Sequence, residues 1–256
     1  MARGYGPRPP ILRPRRGPGP VRIGGFDFAP RAVPTVAALV MVALTFSLGR
    51  WQANRAGEKA GRQALLESRV AEAPLTLTGS VRSADDLLFR RVHLEGRFVP
   101  AGQIFVDNRI HGGRAGFHVL TPLALKGDGP LVLVNRGWVA RTAAYPAPPD
   151  VPVPAGEQSV EGLATIPSTR FVELSGDTVA GTVWQNLSIE RYARQAGREV
   201  LPVVVLAAMP APGLAAVTEK PDAGIAKHQE YSLTWFSLAA TVVALWVGLN
   251  LKRARP

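Results

Sequence analysis

The chain has 256 residues, a formal net charge of +11 at pH 7 and 46% hydrophobic residues. Its 23 prolines and 26 glycines are too many for a mostly helical protein, and its length fits one folded domain with appendages. Because it contains no cysteine, disulfides, thiolate metal sites and cysteine nucleophiles are excluded.

Residues 1–31 form a basic arm rich in proline and glycine, with seven arginines and a single acidic residue, Asp27. Such a composition buries too little apolar surface to offset the entropy lost on folding. The arm is therefore predicted to be disordered and to lie near lipid headgroups. A nucleic-acid-binding tail is the alternative. No aromatic interleaving or nucleic-acid module supports it, so no nucleic-acid partner is expected.

An uncharged stretch follows at residues 32–49, between Arg31 and Arg50. A helix of this length covers about 27 Å, just enough to cross the hydrocarbon core of a bilayer. We therefore predict a first transmembrane helix here and a helical connector at residues 50–70. A secretory signal peptide is the alternative, although no small-residue cleavage pattern follows the stretch.

Residues 71–207 alternate apolar and polar positions, which is typical of strands, and we predict a β-rich domain. In one strand Val92, Leu94 and Phe98 share a face that is opposite to the charged residues between them. Further along, Asp128-Gly129 indicates a hairpin turn between two strands.

One short helix is expected inside this domain. It should run from Ile189 to Gln195, with Ser188 as its N-terminal cap and Gly197 ending it. The domain is therefore α+β with few helical residues.

A Pro/Gly/Ala linker at residues 208–227 leads to a second predicted transmembrane helix at residues 228–251, followed by a basic tail at residues 252–256. A buried helix of a soluble protein is the alternative, but few such helices are apolar on every face. The predicted fold is a membrane protein in which two transmembrane helices flank a β-rich extra-membrane domain. Two spans place both termini on one side, and the balance of Lys and Arg favours the cytoplasm for the termini and the periplasm for the domain.

The sequence contains none of the motifs of serine hydrolases, P-loop proteins, zinc proteases or dinucleotide-binding enzymes, and its carboxylates are scattered. We therefore predict that the chain is not an enzyme and has no catalytic residues. His93, His111 and His118 lie on or between predicted strands at spacings that suit no metal cluster, so they are expected to be solvated or hydrogen-bonded.

His228 differs because it lies at the membrane interface, where the second span begins. At helical spacing it shares a face with Tyr231 and Trp235. An imidazole beside aromatic rings at a lipid boundary is suited to ligate haem iron. The alternative is an interfacial polar residue that only sets the depth of the helix.

Several motifs together resemble the Surf1 family over about residues 40–250. They are Leu48-Gly49-Arg50-Trp51-Gln52, Arg91–Phe98, Gly116–Leu123, Val132–Val139, and His228 with Tyr231, Trp235 and Phe236. The resemblance implies a two-span protein with a β-rich domain that takes part in assembly of haem-copper cytochrome c oxidase. It also implies that haem a is bound transiently for insertion into subunit I, with His228 corresponding to the family's haem-linked histidine. Ser232 stands where the family usually has alanine, and its hydroxyl is expected to bond to its own helix backbone.

The implied cofactor site combines residues at the exit of the first span with residues at the start of the second. Arginine forks suit the haem propionates, although lipid headgroups are the alternative partners. The candidate haem a-binding residues are His228, which would ligate the iron, and Tyr231, Trp235, Arg50, Trp51 and Arg55.

The expected partners are oxidase subunit I, haem a synthase, membrane lipid and a second copy of the chain. A scaffold that stabilises subunit I without binding haem is the alternative function, and a membrane-tethered envelope enzyme or sensor is a third. The expected location is the bacterial plasma membrane. An arginine-rich N-terminus also suits the mitochondrial inner membrane, but its proline and glycine content disfavours the amphipathic helix of a transit peptide.

Overall fold

The computed structural model describes residues 21–78, 83–127, 129–167, 179–219 and 224–254. The chain forms two compact units. The helix-pair unit contains the chain up to Lys59 and from Gly224 onward, and the barrel unit contains Ala60–Ala223.

In chain order the helices and strands are β1 (Val21–Ile23), β2 (Phe26–Phe28), α1 (Ala32–Ala71), β3 (Leu75–Leu77), α2 (Ala84–Leu87), β4 (Arg91–Phe98), β5 (Ile104–His111), β6 (Arg114–Leu125), β7 (Leu131–Ala140), β8 (Glu157–Thr165), β9 (Val179–Ala180), β10 (Val183–Trp184), α3 (Ile189–Ala196), β11 (Val200–Ala207), α4 (Ile225–Asn250) and β12 (Leu251–Arg253).

Within the described residues, α1 and α4 are the two helices long and apolar enough to cross a membrane. They pair antiparallel, because Trp246 Nε1 donates to Thr35 Oγ1 at one end and His228 contacts Gln52 at the other. The 18 residues from Thr35 to Gln52 cover about 26 Å of helix, close to the thickness of a bilayer core. The predicted arrangement of two spans flanking a β-rich domain is confirmed, and α1 continues without a break into the predicted connector.

The two termini of the chain meet in a small sheet, in which β2 pairs antiparallel with both β1 and β12. Residues 21–28 and 251–253 therefore form paired strands. The sequence instead predicted a disordered arm at residues 1–31, a helix that includes Leu251 and a basic tail from Lys252. Packing of Phe28 edge-to-face on Trp246 helps to hold β2 in place. The sequence did not predict this pairing because β2 and its partner β12 lie at opposite ends of the chain. Residues 1–20 and 255–256 lie outside the described residues.

The barrel unit contains a nine-stranded sheet in the order β3-β4-β8-β11-β7-β6-β5-β10-β9. Its middle is closed, because β4 pairs with β8 along most of its length and with β6 near its C-terminal end. Strands β4, β8, β11, β7 and β6 therefore form a ring. Closure removes the free edges of these five strands, while β5, β10 and β9 continue the sheet outward from β6.

Apolar side chains from every strand of the ring fill the barrel interior. The buried cluster includes Leu94 from β4, Leu123 and Leu125 from β6, Val132 and Val134 from β7, Ala164 from β8, and Leu201, Val203 and Val205 from β11. A second apolar cluster lies on the outer face, where α3 covers Ile104, Leu120, Leu133 and Trp184.

The local predictions for this domain agree with the structure. In β4, Val92 and Leu94 are buried, whereas the charged residues Arg91, Glu95 and Arg97 are exposed. Helix α3 has Ser188 as its cap, whose hydroxyl accepts from the Arg191 amide, and it ends at Gly197 in the left-handed region. Strands β6 and β7 pair antiparallel as expected, but Asp128 of the predicted turn lies outside the described residues.

Candidate functional site

The start of α4 is fixed to α1 by one short hydrogen bond. His228 Nδ1 lies 2.6 Å from Gln52 Oε1. Because a carbonyl oxygen can only accept, Nδ1 carries the proton and the lone pair of the neutral ring resides on Nε2. In the part of the chain that the structure describes, Nε2 has no hydrogen-bond partner, so it is available to a ligand.

Two aromatic residues of α4 flank His228 on the same side of the helix. Tyr231 is 48% exposed and Trp235 is half-buried. They follow His228 by three and seven residues, a spacing that places all three side chains along one strip of the helix. The predicted grouping of His228, Tyr231 and Trp235 is compatible with this spacing.

The three candidate residues of α1 do not face the same way. Residues two positions apart on a helix diverge by about 200°, so Arg50 lies on the side of α1 opposite to Gln52. Arg55 lies about 60° from Gln52, on the side of His228. Trp51 is 53% exposed and lies between these directions. Arg55 is thus the arginine best placed for a ligand held by His228, and it now pairs with Glu58 at 2.7 Å.

Close packing of the two helices sets the register that brings Gln52 to His228. A Cβ at Gly49 would lie 2.7 Å from Phe236 Cε1, so any larger residue there would force the Phe236 ring to move. Ser232 is buried in the same contact and donates to the Gly49 carbonyl oxygen at 3.0 Å. The expectation that Ser232 bonds to its own helix was wrong, because the Gly49 carbonyl of the neighbouring helix is within reach.

No second metal ligand accompanies His228 in the described residues, which contain no group of three or more His, Cys, Asp or Glu that could hold a metal ion. A bare metal ion needs several protein ligands. A single oriented imidazole beside aromatic rings would suit instead a metal that is already held in a planar ring system and takes one ligand from the protein.

The sequence did not identify Gln52 as a site residue, although Gln52 is the last residue of the motif that begins at Leu48. Its role depends on the register between two helices that are 176 residues apart in the chain. The spacing of apolar residues along each helix carries no information on that register.

Comparisons with known proteins place the chain among relatives of similar length. The family model described as "SURF1 family" matches residues 39–240. A SURF1-like protein of Monosiga brevicollis is 26% identical over 249 residues, which cover 90% of this chain and 90% of that protein.

Two further relatives come from an animal and a bacterium. Human Surfeit locus protein 1 is 27% identical over 81% of this chain and 75% of its own length. A SURF1-like protein of Rickettsia felis is 24% identical over 83% of this chain and 94% of its own length. The region that the family model matches includes most of the paired segment of α1 and α4 and the whole barrel, and the chain belongs to the SURF1 family.

Proposed function

We propose that this chain is an assembly factor for haem-copper cytochrome c oxidase that binds haem a and aids its insertion into, or retention by, subunit I. The observation that carries the proposal is the hydrogen bond from His228 Nδ1–H to Gln52 Oε1, which leaves the lone pair of Nε2 available to ligate a metal. The outer hydrogen bond of a metal-binding histidine fixes its tautomer and ring orientation, and Gln52 is placed to do this.

The residues around His228 fit the chemistry of a haem. Bound haem a would supply an iron atom, which His228 would ligate, and two propionate carboxylates, which would pair with cations. Tyr231, which is exposed, and Trp235, which is half-buried, would offer aromatic surface to the macrocycle. Arg55 would exchange its exposed partner Glu58 for a propionate, and such an exchange costs little because exposed ion pairs are weak. Trp51 borders the same interface, whereas Arg50 lies on the opposite side of α1.

The helix pair is suited to transferring a haem to a partner and not to storing it permanently. A pair of helices can cover one side of a macrocycle and leaves the other side for a partner. The expected partners are oxidase subunit I as acceptor and haem a synthase as donor, with a second copy of this chain as the alternative cover. Catalysis by the chain itself is not required for this role.

We place the chain in the bacterial plasma membrane, with lipid around α1 and α4. The pairing of β2 with β12 holds both termini at one end of the helix pair, and basic residues in both segments favour the cytoplasmic side. The barrel would then lie on the extracytoplasmic side. The mitochondrial inner membrane is the alternative location.

The proposal is tested in cells that make haem a and lack the native copy of this gene. Oxidase purified after complementation with the wild-type chain should contain the full amount of haem a in subunit I. His228→Ala should reduce it to the level of the uncomplemented strain, while His111→Ala, an exposed histidine of the barrel unit, should behave as wild type. Full haem a content with His228→Ala would instead support a scaffold that acts on subunit I without binding haem.

A further inference from the structure

The barrel unit has a cavity that the helix-pair site does not use. It lies on the outer face of the sheet, has a volume of about 940 Å³ and is walled by apolar residues of the sheet, among them Val106, Leu120, Val204 and Leu206. Ligand pockets for small molecules measure roughly 300–1,000 Å³. Such a volume is enough for an organic molecule with an apolar body.

The charges around this cavity do not balance. Arg62 and Glu219 line it as an ion pair of 2.9 Å, so they neutralise each other. Arg109 remains as a half-buried cation, and burial lowers its pKa. Within the described residues its guanidinium makes no hydrogen bond or ion pair, and its Nε is fully buried without a partner. A desolvated cation in this state is unfavourable unless a ligand supplies the anion.

The nearest carboxylate to Arg109 is already engaged. Asp107 Oδ1 accepts from Arg141 at 3.0 and 2.7 Å and from the Asn108 amide, while its Oδ2 accepts from the Tyr145 hydroxyl at 3.2 Å. Asp107 also acts on Arg109 and partly opposes the effect of burial on the Arg109 pKa. One carboxylate then faces two guanidinium groups, those of Arg109 and Arg141, so one positive charge is left over beside the cavity.

Two further side chains that line the cavity add hydrogen-bond donors. Asn135 is 3% exposed, and its Oδ1 accepts from the Gly137 amide, which leaves its NH₂ group as a donor. His118 lines the cavity from β6, and desolvation, followed by the charges of Arg109 and His111, lowers its pKa to about 4. It is therefore a neutral imidazole at pH 7, with one N–H to donate.

We propose that this cavity binds an amphipathic monoanion, with its carboxylate or phosphodiester head on Arg109, His118 and Asn135 and its apolar body along the wall formed by β5, β6 and β11. A single negative charge matches the single uncompensated cation. Fatty acids and singly charged phospholipids share this chemistry, and both are available to a membrane protein.

The test uses the full-length protein in an uncharged detergent and the fluorescent fatty acid cis-parinaric acid as probe. Wild type should bind the acid at least about tenfold more tightly than its methyl ester, since a charge-assisted bond is lost in the ester. Arg109→Gln should abolish this preference, while Arg114→Gln, an exposed arginine of β6 outside the cavity, should retain it. Equal binding of acid and ester by wild type, or an unchanged preference in Arg109→Gln, would overturn the proposal.

A second variant tests the same cavity without changing Arg109, in case Arg109→Gln does not fold. Val217→Trp fills the cavity from a partly buried position outside the strands and leaves Arg109 in place. It should weaken the binding of acid and ester alike, and unchanged probe binding in this variant would place the probe elsewhere and reject the site.

Competition identifies the head group. Displacement of the probe by oleate but not by lysophosphatidylglycerol supports a carboxylate ligand, and the reverse supports a phosphodiester. Zwitterionic lysophosphatidylcholine should displace the probe no better than the detergent does. Failure of both anions to displace the probe would contradict the proposal.

Discussion

The helix pair and the barrel are held together by different kinds of contact. In the barrel, side chains such as Leu94 and Leu123 are fully removed from solvent and form one apolar interior. In the helix pair, most large apolar side chains point outward, and the contact consists of small or polar residues such as Thr45, Gly49, Ser232 and Ala239.

This difference follows from the two solvents. Water drives the burial of apolar side chains in the barrel, whereas lipid gives no such drive between helices. The helices therefore associate by close backbone approach and by a few hydrogen bonds. The barrel is expected to be the stable part, and the helix pair the part that can exchange a ligand or a partner with little loss of stability.

The largest effect is expected in the barrel interior. Leu94→Ala should lower the free energy of unfolding by about 3 kcal/mol, because it removes a fully buried side chain and leaves a cavity. Urea unfolding of the full-length protein in detergent, followed by circular dichroism of the β-sheet, measures this. Leu75→Ala on edge strand β3, which is 40% exposed, is the matched control, and an equal loss there would refute the assigned interior.

The next effect concerns the close approach of the helices. Gly49→Leu should weaken the pairing of α1 and α4 by about 2 kcal/mol, since the side chain would overlap Phe236. Because the chain has no native cysteine, the pairing can be followed by cross-linking Thr35→Cys to Trp246→Cys with a short bismaleimide. The cross-linking rate should fall about thirtyfold.

The control for this variant lies in the same helix. A Cβ added at Gly57 would meet no atom within 4 Å, so Gly57→Leu should cross-link as fast as wild type. Equal rates for Gly49→Leu and Gly57→Leu would mean that the helices do not meet at Gly49.

A smaller effect is expected in the pH dependence of the stability of the barrel. The pKa of His118 is about 4 in the folded protein, below its usual value of 6.5, mainly because of desolvation. As pH falls from 6.5 to 4, the unfolded chain binds a proton that the folded chain does not, so the free energy of unfolding decreases by on the order of 1 kcal/mol.

His118→Gln should remove this decrease in the free energy of unfolding. Urea midpoints of wild type and His118→Gln, measured from pH 6.5 to 4, separate the contribution of His118 from that of the carboxylates, which both proteins share. His111→Gln, at an exposed position, should keep most of it, because His111 is the smallest of the three causes of the lowered His118 pKa. A pH dependence that is identical in wild type and His118→Gln would exclude a depressed pKa at this residue.

The smallest effect is expected for the hydrogen bond between the helices. Ser232→Ala should weaken pairing by about 0.6 kcal/mol, or about threefold in the Thr35/Trp246 cross-linking rate. Thr234→Ala is the control, because the Thr234 hydroxyl bonds to Glu230 within α4. If Thr234→Ala slowed the reaction as much as Ser232→Ala does, the bond to Gly49 would carry no specific stabilisation.

Features that depend on neighbouring residues could be predicted from the sequence. The alternation in β4, the cap and end of α3, and the two apolar spans each follow from the residues within the element. His228, Tyr231 and Trp235 could be grouped for the same reason, since one helix fixes their relative positions.

Features that depend on distant pairings could not be predicted. The contact of β4 with β6 that closes the barrel, the pairing of β2 with β12, and the contact of Gln52 with His228 all join segments with no local pattern in common. The cavity beside Arg109 also depends on an irregularity in the register of β5 between Val106 and Arg109, which turns the arginine toward it.

The central claim is that His228, oriented by Gln52, binds a haem. The most direct measurement is the visible absorption spectrum of the protein purified from a host that makes haem a. The wild-type chain and His111→Ala should carry the pigment, Gln52→Ala should carry less, and His228→Ala should carry none. A His228→Ala protein with the same pigment content and spectrum as wild type would contradict the account.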